Sequence, residues 1–400
     1  MIVLVFNCGS SSIKYQLFDM PDGRLLAKGG VSRIGEAESE AVQKGDRGEI
    51  RRQAPVKDHE QGLTAIREML TDPEKGPLKT IGEIEACGHR VVHGGETFTG
   101  SVPINEKVEA AIEACADLAP LHNPPNLAGL REAKKMLPDV PQIACFDTAF
   151  HQTLPPHAYR YALPASLYEQ YRIRRYGFHG TSHRYVARRA AELMGRDKYD
   201  VNLITCHLGN GCSLAAVRNG RSLDTSMGLT PLQGLVMGTR SGDIDPAIVF
   251  YLIAKGHTAA QVDKLLNKES GFLGVSGLTN DEGDLEKAAA EGHERARLAL
   301  DIFAWRVKQY IGAYLAVLNG CDAVVMTGGI GERGTEMRAR ILEDMEDIGL
   351  TLDPEANARM VGMEGAIHAS NSPRKIFVVP TNEEAAIARD TFTIASGGTV

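Results

Sequence analysis

Short apolar runs that end at polar or glycine-rich turns recur along the chain, at residues 2 to 6, 84 to 87, 142 to 146, 202 to 206, 322 to 326 and 376 to 379. Such runs, bounded by turn residues, predict buried strands. Helical patterns lie between them. The clearest spans 296 to 318, where Phe303, Val307, Tyr310, Ile311, Tyr314, Leu315 and Leu318 fall at helical spacing and Asn319-Gly320 supplies a stop signal. Alternation of strands and helices makes the class α/β. The Gly/Glu-rich stretch from 35 to 50 reads as a polar loop.

One internal echo stands out. VLVFNCGSSSIKYQLFD reads as strand, glycine turn, strand, and LITCHLGNGCSLAAVRNG repeats that plan about 200 residues later, setting Asn7-x-Gly9-Ser10 against His207-x-Gly209-Asn210. Hairpin turns of this composition are common, yet the shared plan favours duplication over coincidence. At 400 residues the chain is long enough for two domains, each with its own core.

Composition narrows the class. Hydrophobic residues make up 43% and no stretch reaches the roughly 18 apolar residues of a membrane span. The opening Met1-Ile2-Val3-Leu4-Val5-Phe6 has no basic region before it and reads as a strand, so export is not expected. Seven scattered cysteines without a CxxC pair fit a reducing cytoplasm. A net charge of -7 argues against a partner of duplex nucleic acid, whose phosphates need a basic face.

The glycine turns carry the chemistry. A turn rich in glycine and serine can aim several backbone N–H groups and hydroxyls at one anion, and glycine permits the close approach. Gly9 with Ser10, Ser11 and Ser12 is followed by the cation Lys14, with Asn7 at the strand end, and His207-Leu208-Gly209-Asn210-Gly211-Cys212-Ser213 repeats the pattern. A third cluster, Gly328-Gly329-Ile330-Gly331-Glu332-Arg333-Gly334, formally matches GxGxxG, but too little chain follows for the usual βαβ units. It reads better as a nucleoside-binding turn beneath a helix N-terminus. Acids at strand ends, Asp147 and Glu383-Glu384, suit magnesium, although the latter pair also suits a helix start near Asn382. The pairs His89/His93 and His179/His183 lack the third ligand a zinc site needs. Arg90 and Arg240 are candidates to clamp a transferred phosphoryl group.

Taken together, NCGSSSIKYQLFD, GHRVVHGG, LAPLHNPPN, CFDTAFH, YGFHGTSH, CHLGNGCS, DTSMGLTPLQGLVMGTRSGDIDP, GGIGE and PTNEE closely resemble the acetate kinase family over nearly the whole chain. The resemblance implies two ribonuclease-H-like domains of the actin, hexokinase and Hsp70 type with an interdomain active-site cleft. The expected boundaries are 1–149, completed by 385–400, and 150–384. It also implies reversible, in-line transfer of the γ-phosphoryl group of ATP to acetate, with Mg²⁺, or Mn²⁺ in its place, in a cytoplasmic homodimer. By residue, it implies that Asn7 and Glu383 stand on the metal side, that Ser10, Ser12 and Lys14 contact phosphate, and that Asp147 organises metal or substrate. Arg90, His179 and Arg240 resemble the clamp. His122, His207, Asn210 and Gly211 line the phosphate path, and Asp281 with Gly329, Ile330 and Gly331 the nucleoside pocket. Val92, Leu121, Phe178 and Pro231 match a small apolar acyl pocket, which implies acetate first and propionate more slowly.

Two departures bear on the nucleotide. The family's D-x-R-D is here Asp281-Glu282-Gly283-Asp284, and the usual Asn after GIGE is Arg333. They leave room for relaxed nucleotide choice or a pyrophosphate donor, while the retained GGIGE argues for a nucleotide. A sugar or polyol kinase needs a carboxylate base, for which Asp147 is the candidate. An NAD-dependent dehydrogenase rests on the GxGxxG alone, and an actin-like or Hsp70-like switch would have no use for Arg90, His179 and Arg240.

Overall fold

The computed structural model describes residues 1–120 and 122–400. The chain divides into two compact units, Met1–Gln152 with Asn382–Val400, and Thr153–Thr381.

The first unit holds an eight-stranded sheet built from β1 (Ile2–Cys8), β2 (Ser12–Asp19), β3 (Arg24–Ser32), β4 (Glu40–Gly45), β5 (Gly48–Gln53), β6 (Ala86–Val91), β7 (Val102–Pro103) and β8 (Gln142–Phe146), in the order β5-β4-β3-β2-β1-β6-β8-β7. β1 to β5 form an antiparallel meander, and β6 and β8 run parallel to β1. Both faces of β1 are covered, which is why it reads as a nearly continuous apolar run rather than an alternating one. Leu4, Phe6 and Cys8 pack with Ile13, Tyr15 and Leu17 against Leu63, Ile66 and Met69 of the helix His59–Leu70. Val3 and Val5 face the other way, with Ile143 and Cys145, against Ile387 and Ala388 of the helix Glu383–Ala395. Each such buried aliphatic side chain contributes roughly 1.5–3 kcal/mol.

The segment 35 to 50, read above as a loop, is largely paired: Glu40–Gly45 and Gly48–Gln53 form a hairpin closed at Gly45 and Gly48. Its inward face is supplied by Ala41, Ile50 and a polar residue, Gln43. The Gln43 side chain accepts from Tyr15 Oη at 2.6 Å and donates to the Met69 carbonyl at 2.9 Å, so a buried amide stands where an apolar residue would have betrayed the strand.

The second unit has a six-stranded sheet of β9 (Asn202–Leu208), β10 (Cys212–Arg218), β11 (Arg221–Thr225), β12 (Ala323–Thr327), β13 (Gly365–Ala366) and β14 (Lys375–Val378), ordered β11-β10-β9-β12-β14-β13. β9 pairs antiparallel with β10 and parallel with β12, as β1 does with β2 and β6. The two sheets therefore share a five-strand plan, β3-β2-β1-β6-β8 and β11-β10-β9-β12-β14. The duplicated hairpins sit at its centre. Cys8 pairs with Ile13 and Leu208 with Cys212, so the second turn is one residue shorter than the first. The long helix runs Glu294–Leu318 and stops at Asn319 and Gly320, both in the left-handed region.

Candidate active site

In the first unit, the ends of β1, β6 and β8 bring together Asn7, Arg90 and Asp147. Arg90 Nη2 donates to Asp147 Oδ2 at 2.5 Å and Nε reaches both Asp147 oxygens, at 3.1 and 3.3 Å. Its Nη1 donates to Asn7 Oδ1 at 3.3 Å, and Glu383 Oε2 lies 3.7 Å from Nε. Asp147 is buried. Burial opposes the charge on Arg90, but the carboxylates of Asp147 and Glu383 outweigh it and hold the guanidinium above its ordinary pKa. Glu383 is pushed up to about 7, first by burial and then by Asp147 and Glu384, against the pull of Arg90 and Lys14. This residue opens its helix under the Asn382 cap, whose Oδ1 accepts from the Ala385 amide at 3.0 Å.

Ser10 is exposed on the first turn, where the Gly9 amide donates to the Ser12 carbonyl at 2.8 Å. Lys14 is paired with Asn7 across the hairpin. Ser12 and Lys14 line a groove of about 370 Å³ together with Gly30, Ser32 and Glu384. Val92 is buried, its amide held by Asn126 Oδ1 at 3.0 Å, while Asn126 Nδ2 donates to the Cys8 carbonyl at 2.6 Å. His122 precedes the helix Asn123–Met136 as its cap residue. Leu121 lies outside the described residues. His89, beside Arg90, points into the core, where burial pushes its pKa down to about 4 and Nε2 meets Gln142 Oε1 at 2.7 Å.

In the second unit, His179, His207, Gly211 and Arg240 converge. His179 caps the helix Gly180–Leu193 with φ 57°, a left-handed conformation that costs a non-glycine residue about 1–3 kcal/mol. Its ring stacks on His207 at 4.2 Å, and Nδ1 lies 2.9 Å from Ser213 Oγ. A Cβ at Gly211 would stand 3.4 Å from His179 Nε2 and 3.9 Å from Arg240 Nη1, so the bare glycine keeps open the space those two groups face. Arg240 donates only weakly, to the Pro231 carbonyl at 3.4 Å, and meets no carboxylate among the described residues. Burial lowers its pKa from the ordinary arginine value. Asn210 Oδ1 accepts from Asn280 Nδ2 at 2.9 Å, and Phe178 is buried.

The third glycine cluster is a short helix, Gly328–Arg333, and not an open turn. Gly328 enters it at φ 76°, where a Cβ would strike the backbone of Leu208. Gly209 approaches the amide of Gly329, so the second hairpin turn and the glycine helix are neighbours. Asp281 caps the helix Glu282–Ala290 by accepting from the Asp284 amide.

Several side chains to which the sequence reading gave no role hold this arrangement. Glu332 Oε1 accepts from the amides of Gly328 and Thr381, each at 3.0 Å. Ser182 Oγ lies 2.8 Å from both His207 Nδ1 and Thr381 Oγ1. Arg338, fully buried, donates to the Gly331 carbonyl at 2.9 Å and to Asn357 and Met360. Thr205 and Ser213 are hydroxyls at buried positions of β9 and β10 whose other buried residues are apolar, and that break in the pattern was the available sign of them.

The model of the Acetokinase family matches residues 2–389. An acetate kinase of Thermoanaerobacter pseudethanolicus is 53% identical over 400 residues, 99% of this chain and all of the relative. Among solved structures, an acetate kinase of Porphyromonas gingivalis superposes with a TM-score of 0.95 at 47% identity, over 98% of this chain and 99% of that one. A propionate kinase of Francisella tularensis superposes with a TM-score of 0.92 at 41% identity, with the same coverage.

Proposed function

This chain belongs to the acetokinase family, and from that premise we propose that it transfers the γ-phosphoryl group of ATP to acetate, giving acetyl phosphate and ADP reversibly. The observation that carries this reading is the state of Arg90. Asp147 spends both oxygens on its guanidinium, which suits Asp147 to aim a cation and not to deprotonate an alcohol. A carboxylate acceptor needs no base, because it is already ionised at pH 7 with a pKa of about 4.

Arg90 is assigned to the acetate carboxylate. One acetate oxygen attacks the γ-phosphorus in line, the bond from that phosphorus to the β,γ-bridging oxygen breaks, and ADP leaves with the electron pair. His179 and Arg240 are assigned to the charge spread over the transferred group, and Arg240 meets no competing carboxylate among the described residues. Ser10, Ser12, Lys14, His122, His207, Asn210 and Gly211 would contact the phosphates, and Asp281, Gly329, Ile330 and Gly331 the nucleoside. Val92, Phe178 and Pro231 are assigned to the acyl side.

For magnesium the donor set fits. Glu383, Asn7 and Asp147 offer only hard oxygens, and the acids around Glu383 that raise its pKa are relieved by a cation. Magnesium binds through one or two carboxylates and keeps waters and phosphate oxygens as its remaining ligands, so these residues would hold it together with the nucleotide. When bound, it would neutralise charge on the nucleotide phosphates.

A homodimer is supported by an uncovered apolar surface. The helix Ala247–Ala254, sequence AIVFYLIA, buries none of its residues, and Phe250 is 71% exposed. On the long helix, Leu298, Ile302 and Trp305 form an exposed stripe, and Tyr310 of that helix binds Asp243, just ahead of Ala247. A patch of this kind is what a second copy of the chain would cover. Free cysteines at all seven positions suit a cytoplasmic setting.

Trapping acetyl phosphate as its hydroxamate tests the function. Product is expected from acetate with MgATP; ADP release with glycerol and none with acetate would point to a polyol kinase instead.

A further inference from the structure

Between β11 and the helix Ala247–Ala254 the chain carries Pro231 and Arg240 and forms no helix or strand. A side chain on such a segment points only as well as its backbone is held. The guanidinium of Arg240 gives little hold of its own, since its hydrogen bonds to the Pro231 carbonyl and the Met237 sulfur are long, 3.4 and 3.8 Å. The tip of the loop is docked. The Thr239 carbonyl accepts from the Ser270 amide and the Ser241 amide donates to the Leu266 carbonyl, each at 3.0 Å, and the Met237 amide donates to the Arg240 carbonyl at 3.2 Å. A Cβ at Gly271 would strike the Met237 carbonyl, so the tip lies directly on the chain that joins the helices Ala259–Lys268 and Gly271–Ser276.

The neck of the loop closes between Gly234 and Asp243, where the Asp243 amide donates to the Gly234 carbonyl at 2.9 Å. Gly234 has φ 106° and Gly242 φ 69°. Glycine permits this geometry without favouring it, because it takes φ above and below zero about equally. The Asp243 side chain supplies the preference. Its Oδ1 accepts from the Gly234 amide at 3.0 Å, a second bond across the neck, and its Oδ2 accepts from Tyr310 Oη at 2.6 Å, which ties the neck to the long helix. Arg306 Nη1 stands 3.9 Å from the same oxygen. Burial, and then the Asp243 carboxylate, push the Tyr310 hydroxyl above its ordinary pKa, so it remains a donor at neutral pH. The Pro231 end is anchored separately: Tyr161 Oη accepts from the Leu229 amide at 3.0 Å and donates to Gln233 Oε1 at 2.7 Å.

We infer that Asp243, braced by Tyr310, is the positioning residue for Arg240: it fixes the neck of the loop that aims the guanidinium at the transferred phosphoryl group. A charge-stabilising group acts fully only if it is in place before the charge develops. Two anchors then serve two purposes, Tyr161 holding the acyl side and Asp243 the phosphoryl side.

The inference rests on the role given to Arg240 above, and its test separates the two. In the full-length protein with acetate and MgATP, Asp243→Ala should lower kcat on the order of a hundredfold while the acetate KM stays within about twofold. Tyr310→Phe removes one hydroxyl and leaves Arg306 beside the carboxylate, so it should lower kcat about fivefold at unchanged KM, and it carries the test if Asp243→Ala does not fold. Because Asp243 acts through Arg240, adding Asp243→Ala to Arg240→Ala should cost nothing further in kcat. Amide exchange followed by mass spectrometry reads the loop without turnover: residues 234–243 should exchange faster in both variants than in the wild type, and Ala259–Lys268 should not. A kcat near the wild type in a folded Asp243→Ala, an acetate KM that rises as kcat falls, or a full-sized further loss in the Arg240→Ala background overturns the inference. So does loop exchange that is unchanged in both variants. Full kcat in Arg240→Ala would instead overturn the role of Arg240, while the exchange result would still report whether Asp243 holds the loop.

Discussion

Arg90 and Arg240 carry the same charge in opposite surroundings, and the contrast separates their work. Arg90 is held by a buried carboxylate that fixes its direction, while Arg240, half-buried near Gly211, has a carbonyl and a thioether and no carboxylate as hydrogen-bond partners among the described residues. A held guanidinium suits a small planar carboxylate, and an unpaired one suits a dianionic group that arrives and leaves. Val92 belongs to the same scale. Removing methyl groups from a small acyl pocket relieves a larger substrate by about 0.8 kcal/mol per methylene accommodated, so Val92→Ala should raise the propionate-to-acetate ratio of kcat/KM about fourfold. An unchanged ratio would show that Val92 does not limit the pocket. Glu282 supplies the pH dependence. Burial first, then the hydrogen bond to Glu286, pushes its carboxyl up to about 8, and Oε1 is buried without a partner. Between about pH 4.5 and 8 the folded chain keeps a proton that the unfolded chain has lost, so stability at this position falls as pH rises. Glu282→Gln should therefore match the wild type in thermal unfolding at pH 5 and exceed it at pH 8, by on the order of 2 kcal/mol.

At the scale of elements, the glycine helix Gly328–Arg333 is too short to hold itself and is held from behind. Arg338 donates to the carbonyls of Gly331, Asn357 and Met360 and to Asn357 Oδ1, with no carboxylate hydrogen-bonded to it among the described residues. Burial lowers its pKa to about 10, which still leaves it charged at neutral pH. Arg338→Met would strand several buried acceptors at about 1–3 kcal/mol each, so the urea midpoint should fall by at least about 3 kcal/mol in stability, with Arg338→Lys recovering little. A loss under about 1 kcal/mol would mean that water replaces the guanidinium. These supports explain what was and was not legible in the sequence. The strands at 142 to 146 and 202 to 206 could be read because both faces are apolar, and the long helix because its spacing and Asn319-Gly320 stop agree. The hairpin at 40 to 53 was missed because its core face includes Gln43. Arg338 was invisible for a related reason: a polar side chain that serves backbone groups distant in sequence leaves no local pattern. Ser213 and Thr205 left a faint one, as hydroxyls at buried strand positions.

For the molecule as a whole, the repeated five-strand plan places the two glycine turns at equivalent corners of two sheets, each following a central strand, Cys8 into Gly9 and Leu208 into Gly209. The exposed apolar face of the second unit carries Phe250 and Trp305. Trp305, 63% exposed, and Phe250 should lie in the contact of a dimer, so Trp305→Glu with Phe250→Glu should halve the mass measured by light scattering without lowering the melting temperature of the monomer's core. A wild-type protein that is monomeric at micromolar concentration would remove the dimer from the account. The central claim concerns bonds. If the acetate oxygen attacks phosphorus, acetate labelled with ¹⁸O at both carboxyl oxygens should give acetyl phosphate that keeps both labels, one of them bonded to phosphorus and visible as an isotope shift in the ³¹P spectrum. Acetyl phosphate whose phosphorus carries no ¹⁸O would mean that the bond forms at the acyl carbon, and would contradict phosphoryl transfer to a carboxylate held by Arg90.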